Sequence, residues 1–128
     1  MIPIEQQVIS ALIGIDRSLV GRGVLYSLNI LALFTELKIY KIESNTQVED
    51  WIIPNEWILN TASISDTKSK ELLFSHQDSQ LRVVKYSSNF TGNLSYDDLK
   101  KHLFVDENIP YRTTYYNENW GFCLNRNE

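Results

Sequence analysis

Two histidines, one cysteine and sixteen acidic side chains are the groups from which a hydrolytic or metal-dependent site could be assembled in this chain. Zinc would need three or four His, Cys or carboxylate ligands at a recognisable spacing. His76 lies in the polar stretch "SHQDSQ" and His102 ends "LSYDDLKKHL", so neither falls in an H-E-x-x-H pattern, and Cys123 has no second cysteine. A Cys–His nucleophile pair would require Cys123 to meet one of these histidines in space. The simpler readings are a solvated loop for His76, a last-turn cation at a helix end for His102, and a small core residue for Cys123. The acidic pairs Glu49-Asp50 and Asp97-Asp98 read as a strand's solvent face and a helix start. The "GRG" of residues 21–23 lacks the lysine that a phosphate loop would carry. No catalytic residue and no metal ligand is assigned, and no cofactor is expected on this chain.

A second group of candidates is aromatic. Tyr111, Tyr115, Tyr116 and Trp120 cluster in sequence, with Arg112, Thr113 and Thr114 among them. Big aromatics dominate core burial, so stacked core is the plainer reading, and a binding ledge is the alternative.

These residues must be positioned by a chain of 128 residues, long enough for one domain with a real core and no disulfide support. The net charge of −4 argues against nucleic acid, which requires a basic stripe to replace counterions. No apolar run approaches the roughly 20 residues of a membrane helix, and the first ten residues lack the basic start of a secretory signal. With one cysteine, a reducing cytoplasm is the expected setting.

Apolar spacing predicts a helix over 4–13, stopped by Gly14, then a glycine-rich loop. A second helix follows from Val24, with a broad apolar face that should be well buried. Alternation in "ELKIYKIES" and "TQVEDWIIP" predicts strands joined by a hairpin turn at Ser44-Asn45. "EWILNTASI", "KELLF", "LRVVKYS", "IPYRTTYY" and "WGFCL" supply further strand character. "LSYDDLKKHL" predicts a helix with Ser95 as N-cap and Asp98 three residues on, ending near Leu103. The class is α+β: N-terminal helices, then a small β-rich domain, sandwich or jelly-roll-like, with one short helix.

Several phrases together, "DRSLVGRGV", "VEDWIIPNEWIL", "LRVVKYS", "LSYDDLKKHL" and "IPYRTTYYNENWGFCL", resemble the N-terminal part of a bacterial zinc aminopeptidase-like family. Its members are similar to metallopeptidases of the leucyl aminopeptidase and glutaminyl cyclase type. The resemblance implies a helical lead-in to the peptidase domain over 1–35, an inserted β-rich domain of unknown function over 36–116, and a return strand to the peptidase α/β sheet over 117–128. It also implies a two-zinc hydrolase whose ligands all lie beyond W-G-F-C, so that this chain is inactive alone and pairs with a C-terminal peptidase half or with itself. Arg17, Ser18, Gly21 and Gly23 match the family's R-S-x-x-G-x-G loop on the substrate side.

The different expectation is a free-standing binding module, in which Arg112, Tyr115, Tyr116 and Trp120 meet a ligand, and which the resemblance links to surface polysaccharide pathways. The two expectations part at the last strand. Pairing and burial of Trp120–Leu124 inside this chain favours the module, whereas an open edge there, with bare Leu28, Leu31, Phe34 and Phe122, favours a portion of a larger sheet.

Overall fold

The chain was analysed as a computed structural model, which describes residues 2–17, 20–107 and 111–127. It divides into two units, the first ending at Ile58 and the second beginning at Leu59.

In the first unit, helix α1 spans Ile4–Leu12 and α2 spans Arg22–Leu31. Gly14 takes a φ of 86° just past the end of α1, a conformation glycine adopts without a Cβ penalty. A hairpin follows, β1 (Gln47–Val48) against β2 (Trp51–Ile52), antiparallel with Val48 opposite Trp51. The turn between these strands is Glu49-Asp50, with Glu49 at a φ of 53°, and not Ser44-Asn45. Asn45 instead joins the ladder, its N–H donating to Ile53 O at 2.8 Å. Residues 37–43 form no strand, so the alternation of "ELKIYKIES" has no partner ladder to act on.

The burial expected of α2 is also reduced. Ser27 is its one buried residue, Leu28, Leu31 and Phe34 are half-buried, and Leu33 just beyond the helix is 80% exposed. Among the described residues of this unit no large apolar side chain is fully buried.

The second unit has a core, formed by Phe74, Val83, Val84, Phe122 and Cys123. Strand β3 (Ser63–Ser65) pairs antiparallel with β4 (Leu72–Ser75), and the register shifts between Ile64 and Ser65. Two single turns of 3-10 helix, His76–Asp78 and Gln80–Arg82, lead into Val83. Helix α3 (Tyr96–Lys100) is capped as expected: Ser95 Oγ accepts from the Asp98 N–H at 3.2 Å and donates to Asp98 Oδ2 at 2.8 Å. It stops three residues short of Leu103, which opens strand β5 (Leu103–Asp106).

Strand β6 (Phe122–Asn125) runs parallel to β5, in the register Leu103–Phe122 to Asp106–Asn125. Its other side is also occupied at the start. Val83 bridges Phe122 antiparallel, the Val84 N–H donates to Gly121 O at 3.0 Å, and the Ser88 N–H donates to Asn119 O at 2.8 Å. The final strand is therefore paired and buried within this chain at Phe122 and Cys123, against the expectation of a bare Phe122. Gly121 makes this possible. A Cβ there would stand 2.7 Å from His102 O and 2.6 Å from Phe104 Cε2, so only glycine lets β5 come this close.

The class is α+β. Its strands make three two-stranded sheets with no closed barrel among the described residues. Of "IPYRTTYY", the described residues 111–116 contribute one bridging residue, Thr113 against Lys85, and Tyr115 and Tyr116 turn into the left-handed region. Among the described residues no helix is long and apolar enough to cross a membrane.

Two outcomes are expected. Ser95→Ala should cost about 1 kcal/mol in urea unfolding through loss of the cap. Lys101 and then Ser95 hold the Asp98 carboxyl below its ordinary 3.8, so its contribution is full above that value and fades as pH falls through the lower folded value. An acid titration of Asp98→Asn beside the parent should show the two stability curves converging at low pH.

Candidate binding surface

The groups that could do chemistry are held apart. His76 is half-buried rather than solvated, and its Nδ1 lies 3.2 Å from Ala62 N and 3.1 Å from Ala62 O. His102 stacks on Trp120, with centroids 3.8 Å apart and planes within 7°, and its Nδ1 meets Trp120 O at 2.9 Å. It is thus a packing residue as well as a helix-end residue. Cys123 is 1% exposed, and the charges that bear on it are Arg112, Asp106 and Lys85, with neither histidine among them. Burial pushes its thiol up, with the Arg112 charge and backbone N–H pulling the other way. An activated nucleophile needs the opposite shift.

The family resemblance implies zinc held by residues beyond W-G-F-C, and the donors of this chain do not fit a zinc site of their own. Among the described residues no three His, Cys, Asp or Glu side chains converge, and both histidines spend Nδ1 on backbone groups.

The aromatic candidates divide into two groups. Trp120 lies between Phe90, stacked at 4.5 Å, and His102, so both ring faces are covered. Its edge meets Phe122 at 6.3 Å, and Phe122 meets Phe74 edge-on at 5.3 Å. Trp120 therefore serves the core and offers no free face to a ligand. Arg112 is likewise engaged, its guanidinium 4.8 Å over the Phe104 ring.

Tyr115 and Tyr116 do something else. They take φ values of 53° and 65°, a region that costs a bulky side chain of order 1–3 kcal/mol. The turn is held from beneath. Buried Thr114 donates its N–H to Lys85 O at 3.0 Å and its hydroxyl to Tyr86 O at 3.1 Å, and Asn117 Nδ2 donates to Thr114 O at 3.0 Å. Tyr116 packs edge-on against Tyr86, 4.7 Å away, which has a φ of 62° itself. Tyr115 is left 78% exposed. Desolvation and then the neighbouring Tyr111 push the Tyr116 hydroxyl up.

The N-terminal loop candidates lie in the first unit. Arg17 donates Nη1 to Leu12 O at 3.0 Å, closing the end of α1. Ser18 lies outside the described residues. Gly21, at a φ of 114°, is the N-cap of α2, and a Cβ on Gly23 would collide with Asp16 O. The missing signal was Glu56, 34 residues away from Arg22. Its Oε1 accepts from the Arg22 N–H at 2.9 Å and lies 3.7 Å from Arg22 Nε. The carboxylate thus fills the positive end of α2, and its Oε1 comes within 2.8 Å of where a Gly21 Cβ would stand. That accounts for both the glycine and the acid of D-W-x-x-P-x-E-W.

Two tests follow from this geometry. Glu56→Ala should cost about 1 kcal/mol by loss of the helix-end partner, read in urea unfolding followed by far-ultraviolet circular dichroism. Iodoacetamide should label Cys123 at least about a hundredfold more slowly in native chain than in urea; equal rates would contradict its burial.

Comparison with known proteins places these features in a family. A Clostridium acetobutylicum protein named "Putative polysaccharide biosynthesis protein with aminopeptidase-like domain" is 34% identical over 124 residues, covering 94% of this chain and 28% of that relative. A crystal structure of a "putative peptidase" from the same organism matches with a TM-score of 0.82 at 34% identity, over 94% of this chain and 29% of that one. This chain therefore spans less than a third of either relative. The family model described as "Domain of unknown function (DUF2172)" matches residues 56–128. With relatives named as peptidase-like, and with Glu56 to Cys123 inside the matched segment, the chain belongs to the DUF2172 family.

Proposed function

We propose that this chain is the non-catalytic, N-terminal portion of a zinc-dependent aminopeptidase-like hydrolase of the cytoplasm. In this reading 1–35 is lead-in to the peptidase domain, 36–116 an inserted domain and 117–128 the return strand. That division is the one the family resemblance implies, and it differs from the division into units at Ile58 and Leu59. One observation carries the reading. The first unit leaves Ile4, Ile9, Leu33 and Trp51 exposed and, among its described residues, fully buries no large apolar side chain, while a 34%-identical relative is far longer. Extensive exposed apolar surface of this kind is suited to contact with other protein.

In such a hydrolase zinc, when bound, would supply polarisation of the scissile carbonyl and activation of water. The ligands and the general base belong to sequence outside these 128 residues, and no step is assigned to His76, His102 or Cys123. The name of the relative would set the reaction among polysaccharide-linked substrates.

A second reading, a self-contained binding module, draws on the pairing of β6 with β5 and the burial of Phe122 and Cys123. Solution behaviour separates the two. The first reading expects self-association in sedimentation velocity, and no turnover of aminoacyl p-nitroanilides with added zinc. Saturable, zinc-dependent turnover by the purified chain would overturn it, and a cooperative monomer without turnover would favour the module.

A further inference from the structure

Strand β5 has one edge that no described residue occupies. The Phe122 N–H donates to His102 O at 2.8 Å, and Leu103 stands opposite Phe122 in a parallel ladder. Backbone groups of alternate residues point to the same side of a strand, so those of Phe104 face β6 while the N–H and C=O of Leu103 and Val105 face away. Among the described residues no hydrogen bond reaches those four groups. Parallel pairs belong to sheets covered on both faces, and a two-stranded ribbon alone is marginal in water. This pair is covered near its start, where Phe122 and Cys123 are buried and the Arg112 guanidinium lies 4.8 Å over the Phe104 ring. Yet β5 carries no proline, bulge or lysine of the kind that blocks a further strand, and Val105 is 56% exposed.

The charge order along this edge selects its partner. Lys101-His102-Leu103-Phe104-Val105-Asp106-Glu107 runs from basic groups through an apolar centre to acidic ones. A parallel second copy would set like charge beside like. An antiparallel second copy, with Phe104 opposite Phe104, sets the basic entry of each strand beside the acidic exit of the other. In that register Leu103 of each copy faces Val105 of the other as a pair exchanging both hydrogen bonds, which satisfies all four outward groups. Lys101 and Glu107 have partners within the chain, Asp98 and Arg126, each 2.7 Å away, but these are exposed pairs that hold weakly.

We propose that β5 is a dimerisation edge, through which two copies of this chain pair antiparallel about a twofold axis at Phe104 and join their β5–β6 ribbons into one continuous sheet. The interface uses second-unit residues alone and does not depend on the hydrolase reading.

The test combines sedimentation velocity with amide hydrogen exchange on the full chain, from about 5 to about 500 μM. The chain should reach a dimer, and exchange of the Leu103 and Val105 N–H groups should slow at least about tenfold from the dilute to the concentrated end. Val105→Pro removes one outward N–H and no bond of the β5–β6 ladder, and it should weaken association at least about tenfold. If circular dichroism shows that variant unfolded, Glu107→Lys takes its place; it sets a lysine beside Lys101 of the other copy and should weaken association at least about threefold. A monomer at every concentration would overturn the proposal and leave the edge to a strand of a different protein. So would association that these substitutions leave unchanged. Association with the Val105 N–H exchanging at one rate throughout, as contact through the first unit's apolar surface would give, would overturn it as well.

Discussion

The second unit depends on the backbone of Trp120 to Cys123 being hydrogen-bonded on both sides at once. On one side the Phe122 N–H donates to His102 O at 2.8 Å, and on the other Gly121 O accepts from Val84. Gly121 carries this arrangement, because a side chain there would collide with Phe104 and with the carbonyl of His102. Once the strand is seated, Phe122 meets Phe74, Cys123 is sealed, and Trp120 slots between Phe90 and His102. Each of these contacts spans nearly twenty residues or more, so none would form from local propensity alone.

Against that background the scarcity of chemistry is informative. The two histidines and the single cysteine are spent on structure: one ring against Ala62, one against Trp120, one thiol in the core. The exposed apolar surface is mixed in both units, with Ile4, Ile9, Tyr26, Leu33, Tyr40 and Trp51 in the first and Leu72, Leu73, Phe90, Tyr96, Val105 and Tyr115 in the second.

The legible parts of the sequence were those whose physics is local. Ser95 with Asp98 announces a helix start because the cap and its partner are three residues apart, and Gly14 announces a helix end for the same reason. Alternation in 36–43 misled, since alternation only says which faces could differ and a strand exists only if a ladder receives it. Glu56 was invisible as a cap because the helix it serves begins at residue 22. The left-handed tyrosines were equally hidden, as the preference they violate is overridden by Lys85 and Tyr86 carbonyls some 30 residues upstream. Trp120 stacks on Phe90 and His102, and the second of these partners was not foreseen. A histidine at a helix end has an adequate electrostatic explanation that conceals a packing one.

The late position of Phe122 and Cys123 also bears on how the chain is made. Synthesis is directional, so Phe74, Val83 and Val84 leave the ribosome well before the strand that covers them. During that interval they are exposed beside half-paired strands, the condition in which nascent chains engage chaperones or aggregate. The long separation between Val83 and Phe122 makes closure slow relative to helix formation in α3. A pause in translation near codon 121 would prolong that exposed state; rapid emergence of the next four residues would end it.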